Sequence, residues 1–162
     1  MILEDRVVLV TGGARRIGRT IAVTLAQRRA RLVFSYRTAA REAGTLVKAM
    51  QRAGSEVLAV RADVSNAADI QRLMDRIQRR FGRLDVLVNS AANFERTPFA
   101  ALSERAWDHA LDTNLKGPFL CALYASRLMR RHGSGKIINL ADWAGERPYR
   151  DYLPYCVSKA GV

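Results

Sequence analysis

The stretch Val7-Val8-Leu9-Val10-Thr11-Gly12-Gly13-Ala14-Arg15-Arg16-Ile17-Gly18 constrains this chain more than any other. Its first four residues are apolar without alternation, which suits a strand buried on both faces of a parallel sheet. Gly12 and Gly13 then admit backbone angles that a Cβ would obstruct. Beyond them Ile17, Ile21 and Leu25, backed by Ala22 and Ala26, recur about every fourth residue, predicting a helix whose apolar stripe faces that strand. The turn therefore lies at a helix N-terminus, where free N–H groups and the positive end of the helix dipole favour an anion such as a pyrophosphate. The glycines fall at 12, 13 and 18 and miss the G-x-G-x-x-G fingerprint, so close packing of a βα corner is the other reading of the same residues.

With 162 residues and an apolar fraction of 49%, the chain is sized for a single domain over 1–162 with a proper core. No apolar run approaches the roughly 20 residues of a membrane span, and Met1-Ile2-Leu3-Glu4-Asp5 has no basic-then-apolar leader, so the expectation is a cytoplasmic protein without a membrane partner. Cys121 and Cys156 lack metal spacing and read as reduced thiols, with no metal site. All but four of the 27 basic residues are arginine, and the net charge is +12. Arg72, Arg76, Arg79 and Arg80 are typical in decorating a polar helix face without interleaved aromatics, which argues for solvated surfaces and against a nucleic-acid partner. A general attraction for anionic cofactors and substrates follows from the same charge.

Strands and helices alternate along the chain. Leu32-Val33-Phe34 forms a second strand and runs into Ser35-Tyr36-Arg37. At this place an acid would hold a ribose 2′-hydroxyl, whereas a basic residue accommodates a 2′-phosphate. With Arg16 projecting from the glycine turn, Arg37 makes a second guanidinium for one phosphate, pointing to NADP(H); as a solvated loop residue it would have no such role. A helix carrying Ala43, Leu46, Val47 and Met50 leads to the strand Val57–Val60 and to Asp63-Val64-Ser65-Asn66. Asp63 either faces an adenine or stabilises its turn. The next helix has the stripe Ile70, Leu73, Met74, Ile77 and Phe81 and stops at Gly82. A fourth strand, Leu84–Val88, ends in Asn89-Ser90-Ala91-Ala92, small residues that let a cofactor's sugar and ring approach the backbone. Phe94, on the loop after them, either stacks on a flat substrate or plugs the core.

A long helix opens at Ser103, with Trp107, Leu111, Leu115, Leu120 and Leu123 expected on its buried side. Pro118 interrupts it and deprives the Asn114 carbonyl of its helical partner, leaving either a place to hold a water or a simple kink. The fifth strand, Lys136–Leu140, ends at Ala141-Asp142, and Tyr155 and Lys159 follow four residues apart on one helical face. A tyrosine that exchanges protons near pH 7 must lose about three units from its free pKa of ~10, roughly 4 kcal/mol. One ammonium about 4 Å away at an effective dielectric near 20 supplies about that much. Tyr155 and Lys159 thus read as a proton-transfer pair.

Taken in this order the motifs resemble the short-chain dehydrogenase/reductase family, and within it the pteridine reductases and their bacterial relatives, over the whole chain. Thr11-Gly12-x-x-x-Arg16-Ile17-Gly18 resembles the family's T-G-x-x-x-G-x-G with arginine at the middle glycine, as in NADPH-dependent pteridine reductases. Asn89-Ser90-Ala91-Ala92 stands for N-N-A-G, and Asn114, Tyr155 and Lys159 fall on the catalytic Asn, Tyr and Lys. The resemblance implies an α/β, doubly wound parallel sheet (Rossmann fold), and an NADPH-dependent oxidoreductase. It implies a cofactor site of Thr11, Gly12, Arg16, Ile17, Gly18, Tyr36, Arg37, Asp63, Val64, Asn89, Ser90, Ala91, Tyr155 and Lys159. The family's catalytic serine lies thirteen positions before the tyrosine, where this chain has Asp142. An ionised carboxylate repels a developing alkoxide but suits a protonated ring nitrogen. The leading expectation is therefore reduction of a pterin-like, dihydropteridine ring. Tyr155 and Asp142 would manage the proton, Lys159 bind the ribose, Asn114 hold a relay water and Phe94 stack on the small-molecule substrate. The alternatives are a carbonyl or alcohol reductase of the 3-oxoacyl type and a truncated, non-catalytic NADP-binding module. Family members continue past the point matching Val162, so the chain is expected to be a C-terminally truncated fragment lacking the last strands, with a homodimer or homotetramer for the full-length form.

Overall fold

The computed structural model describes residues 2–162. Five parallel strands, β1 (Val7–Val10), β2 (Arg31–Tyr36), β3 (Val57–Arg61), β4 (Val86–Asn89) and β5 (Lys136–Asn139), form one sheet in the order β3-β2-β1-β4-β5. The chain starts in the middle, winds outward through β2 and β3, then returns to the other side of β1 for β4 and β5. This is the doubly wound α/β arrangement, and its strand order reverses between β1 and β4, where a crevice opens at the carboxyl ends of the strands.

Burial on both faces explains why β1 does not alternate. Val7 and Leu9 pack with Val33, Leu87 and the helices α3 (Ala67–Phe81) and α5 (Gly117–Arg130). Val8 and Val10 point the other way, into Leu32, Phe34, Val86, Val88 and the helices α1 (Arg16–Gln27) and α2 (Ala40–Arg52). All four β1 side chains are fully buried, at about 1.5–3 kcal/mol each relative to exposure. The α3 stripe is as expected, with Ile70, Leu73, Met74 and Ile77 buried, Asn66 capping its first N–H groups and Gly82 ending it at φ 72°. Such a left-handed C-terminal residue suits glycine.

Two expected stripes hold only in part. In α1 Gly18, Ala22 and Ala26 are buried and Ile21 and Leu25 pack half-buried against the same core, while Ile17 is 65% exposed. The reason is distance: a Cβ on Gly18 would lie 2.4 Å from the Gly12 carbonyl oxygen, so the helix comes too near the turn for large side chains on that face. The long helix after Ser103 is broken into α4 (Glu104–Leu111), a π-helical turn Asp112–Lys116 and α5. Its buried residues are Ala110, Thr113, Asn114, Gly117, Cys121, Ala125, Leu128 and Met129, Leu120 is half-buried against the same core, and Trp107 and Leu123 lie at the surface. A Cβ on Gly117 would meet Val64 at 2.9 Å, again favouring the small face. The π turn shifts the helix register so that Asn114 points inward, a local irregularity that often marks functional sites.

Candidate active site

The crevice at the strand ends is a cleft of roughly 440 Å³. Gly12, Arg16, Ile17, Gly18, Tyr36, Arg37, Asp63, Val64, Ser90, Ala91, Phe94 and Tyr155, all singled out in the sequence, line it together. Thr11 stands behind the lining. Its Oγ1 accepts the Ser90 and Ala91 N–H groups at 3.0 Å each, so the β1 turn and the β4 loop are locked into one wall. Gly12 has φ 67°, and a Cβ there would come within 2.9 Å of Ala91 Cα, which makes glycine the only residue that lets these two segments meet. Gly13 donates to the Ser35 carbonyl at 3.0 Å, fixing the turn against the end of β2.

Arg16 adopts φ 49° at the start of α1. That left-handed conformation costs a non-glycine residue about 1–2 kcal/mol, and Arg16 lines the cleft. Arg37 lies across it, 3.7 Å from Asp63. Burial works to raise the Asp63 pKa, but the Ser65 hydroxyl and N–H and the Arg37 charge outweigh it and hold the carboxyl below its ordinary range. Asp63 is thus both a turn residue, bonded to Ser65, and part of the cleft wall.

Asn89 and Asn114 do not reach the cleft. Asn89 is buried and donates to the Pro118 carbonyl and to Asn139 Oδ1, tying β4 to α5 and β5. Asn114, 1% exposed, accepts the Asn93 N–H and donates to Asn93 and to Ser158 Oγ. The Asn114 side chain thus latches the loop after β4 to the helix bearing Tyr155.

That helix is α6 (Leu153–Ala160). The Tyr155 hydroxyl donates to Asp142 Oδ2 at 2.6 Å, while Asp142 Oδ1 accepts the Ala144 N–H at 2.8 Å. Lys159 donates to the Leu140 carbonyl at 2.7 Å, and its nitrogen lies 5.8 Å from the centre of the Tyr155 ring. The expected lowering of the Tyr155 pKa is not found. Burial and the Asp142 carboxylate push its phenol above the ordinary tyrosine range, so it is protonated at neutral pH. Asp142 moves the other way, held low by the Ala144 N–H and the Tyr155 hydroxyl. Burial also lowers Lys159.

Phe94 is 51% exposed and stacks on Tyr152, with ring centres 4.4 Å apart and 9° between planes. Tyr155 meets it edge-on at 4.7 Å. Tyr152 and Tyr149 were not identified from the sequence, although tyrosines at 149, 152 and 155 repeat every third residue. Thr97 donates to the Asp151 carbonyl at 2.6 Å, and Arg96 pairs with the Asp151 carboxylate at 2.5 Å, joining the two loops that carry these aromatics.

The family model described as short chain dehydrogenase matches residues 6–162. The chain belongs to this family. It is 36% identical over 160 residues to a 3-oxoacyl-(acyl-carrier-protein) reductase of Synechocystis sp., covering 99% of this chain and 65% of that relative. It is 36% identical over 154 residues to the reductase of the same name from Staphylococcus aureus, covering 95% of this chain and 63% of the relative. Among solved structures, a mutant short-chain dehydrogenase/reductase of Serratia marcescens matches with TM-score 0.91 and 32% identity over 99% of this chain and 65% of that one. A dehydrogenase/reductase from Sinorhizobium meliloti matches with TM-score 0.91 and 31% identity over 98% and 63%. The chain therefore spans less than two thirds of the length of the relatives it matches. No helix among the described residues is long and apolar enough to cross a membrane, and none of their His, Cys, Asp or Glu residues group as metal ligands.

Proposed function

We propose that the chain is the cofactor-binding and proton-transfer part of an NADP(H)-dependent reductase acting on a small-molecule carbonyl of the 3-oxoacyl type. The observation that carries the proposal is the Tyr155 hydroxyl at the cleft wall with Lys159 one turn further along α6. The names of the relatives support a carbonyl substrate over the pterin-like ring that the motifs suggested.

Bound NADP(H) supplies the hydride. The α1 N-terminus and the wall braced by Thr11 would hold the pyrophosphate, with Arg16 and Arg37 on a 2′-phosphate and Tyr36 beside them. Asp63 and Val64 would border the adenine, Ser90 and Ala91 the nicotinamide sugar, and Lys159 the ribose hydroxyls. Tyr155 gives its proton to the substrate oxygen as the carbonyl carbon is reduced. Burial and the Asp142 carboxylate raise its pKa, so it carries its proton at neutral pH. Asn114 and Asn89 position the walls.

Asp142 favours a second reading, reduction of a pterin-like ring. A carboxylate beside the donor opposes a developing alkoxide and stabilises a protonated ring nitrogen, and the open face of Phe94 offers a stacking surface. NADPH oxidation separates the readings when a 3-oxoacyl thioester, a simple ketone, dihydrobiopterin and dihydrofolate are offered to this chain and to a longer form. Turnover of the thioester or ketone is expected. Turnover of the dihydropterins alone overturns the first reading in favour of the second, and NADPH binding without turnover in both forms leaves a binding module. Cytoplasmic placement and a homodimer or homotetramer, with the exposed Phe119 and Leu123 face of α5 in contact, complete the proposal.

A further inference from the structure

Asp142 carries a third donor that the family pattern does not explain. The Tyr149 hydroxyl donates to Asp142 Oδ1 at 3.2 Å, the same oxygen that accepts the Ala144 N–H, while Oδ2 faces Tyr155. Tyr149 belongs to the loop before α6 rather than to the helix, so something must hold the loop for this bond to persist. Two contacts do so. The Tyr149 N–H donates to Cys156 Sγ at 3.3 Å, and the Tyr149 ring meets the edges of Phe94 and Tyr152 with centres 6.4 Å away in each case. The loop is thus fastened to α6 by a thiol and to the Phe94 loop by aromatic packing.

We propose that Tyr149 is a positioning residue for proton transfer: with Ala144 it clamps one carboxylate oxygen of Asp142, so that the other stays directed at Tyr155 and the carboxyl stays ionised. A carboxylate on a short side chain rotates about its last bond unless both oxygens are engaged. Here Oδ1 has two donors and Oδ2 has one, which fixes the plane of the group. The groups that act on Asp142 are the hydroxyls of Tyr149 and Tyr155, the Ala144 N–H and the Lys159 ammonium. Arg147, on the same loop as Tyr149, lies over the Trp143 ring at 5.5 Å. Removing one hydroxyl from this set weakens the preference for the charged form and leaves the ring packing intact. Cys156 acts one step further back, as the latch of the loop.

The inference rests on the reading of Tyr155 as the proton donor, and its test has a readout that does not require turnover. Aspartate carboxyl carbons are followed by NMR through a pH titration of the 162-residue chain and of Tyr149→Phe. The Asp142 resonance is the one lost in Asp142→Asn. In Tyr149→Phe it is expected to titrate at higher pH than in the parent chain, whereas Tyr152→Phe, which removes a hydroxyl not bonded to Asp142, leaves it in place. In a form that turns substrate over, the pH midpoint of kcat that disappears in Asp142→Asn moves the same way. KM for NADPH stays within about twofold, and Tyr149→Phe adds nothing in the Asp142→Asn background. An unmoved Asp142 titration in Tyr149→Phe overturns the proposal, whatever the activity. A moved titration together with no turnover in either this chain or a longer form upholds the clamp and removes the reductase reading instead.

Discussion

Tyr155 and Asp142 share a 2.6 Å hydrogen bond in which the phenol is the donor and the carboxylate the acceptor. Burial and this bond push the Tyr155 pKa up, while the Ala144 N–H and this bond hold that of Asp142 down. Replacing Asp142 by Ser removes the carboxylate charge, so the Tyr155 phenol is expected to ionise at lower pH than in the parent chain. Tyrosinate absorbance across an alkaline titration measures this. The same variant is expected to reduce ketones at least as well as the parent and dihydropterins about tenfold less; equal losses on both substrates would contradict the charge argument.

Arg16 sets stability against cofactor choice. Its φ of 49° is a conformation that glycine adopts without strain. Arg16→Gly is therefore expected to raise the stability by up to about 1 kcal/mol, the relief of strain being partly offset by the greater freedom of an unfolded glycine. Loss of the guanidinium should weaken NADPH at least tenfold while leaving NADH nearly unchanged. Thermal melts and fluorescence titrations with both dinucleotides check the two halves separately.

At the opposite end of the sheet, buried Asp85 accepts the Val7 N–H at 2.9 Å and is flanked by Arg6 and Arg83. Burial acts to raise its pKa, but the Arg83 bond, the Val7 N–H and Arg6 prevail and lower it. A carboxyl depressed in the folded state contributes stability above its unfolded pKa of ~3.9, and that contribution disappears as pH falls through the folded value. Asp85→Asn should cost about 2 kcal/mol at pH 7, after discounting the partly exposed arginines. It should cost progressively less below about pH 4. Urea unfolding at both pH values tests the sign, and a penalty that grows on acidification would refute it.

Thr11→Val keeps the shape of the side chain and removes the acceptor for two N–H groups. A loss of about 1–3 kcal/mol is expected. Weaker NADPH binding should accompany it, since the wall formed by Ser90 and Ala91 loses its brace. Unfolding curves and cofactor titration report on the two effects together.

The strands and the cleft were legible in the sequence because glycines, β-branched runs and helix periods are local signals. The side of a helix that is buried is a different matter. In α1 the sequence places Ile17, Ile21 and Leu25 beside Ala22 and Ala26 on one stripe, and only the close approach of Gly18 to Gly12 centres the contact on Gly18, Ala22 and Ala26 and leaves Ile17 outside. Tyr155 and Lys159 declare themselves by spacing, but their ionisation does not. Whether Lys159 or Asp142 governs Tyr155 depends on a few ångströms in space, and the ammonium is drawn to the Leu140 carbonyl while the carboxylate receives the phenol. Tyr149 reaches Asp142 across the loop before α6, a partnership that the three-residue spacing of Tyr149, Tyr152 and Tyr155 does not reveal.

β1 is buried on both faces and has a partner strand on each side. Its amide protons are therefore expected to exchange only through the widest openings of the sheet. The turn for the dinucleotide extends directly from that strand, so local fraying elsewhere leaves the phosphate grip with its shape.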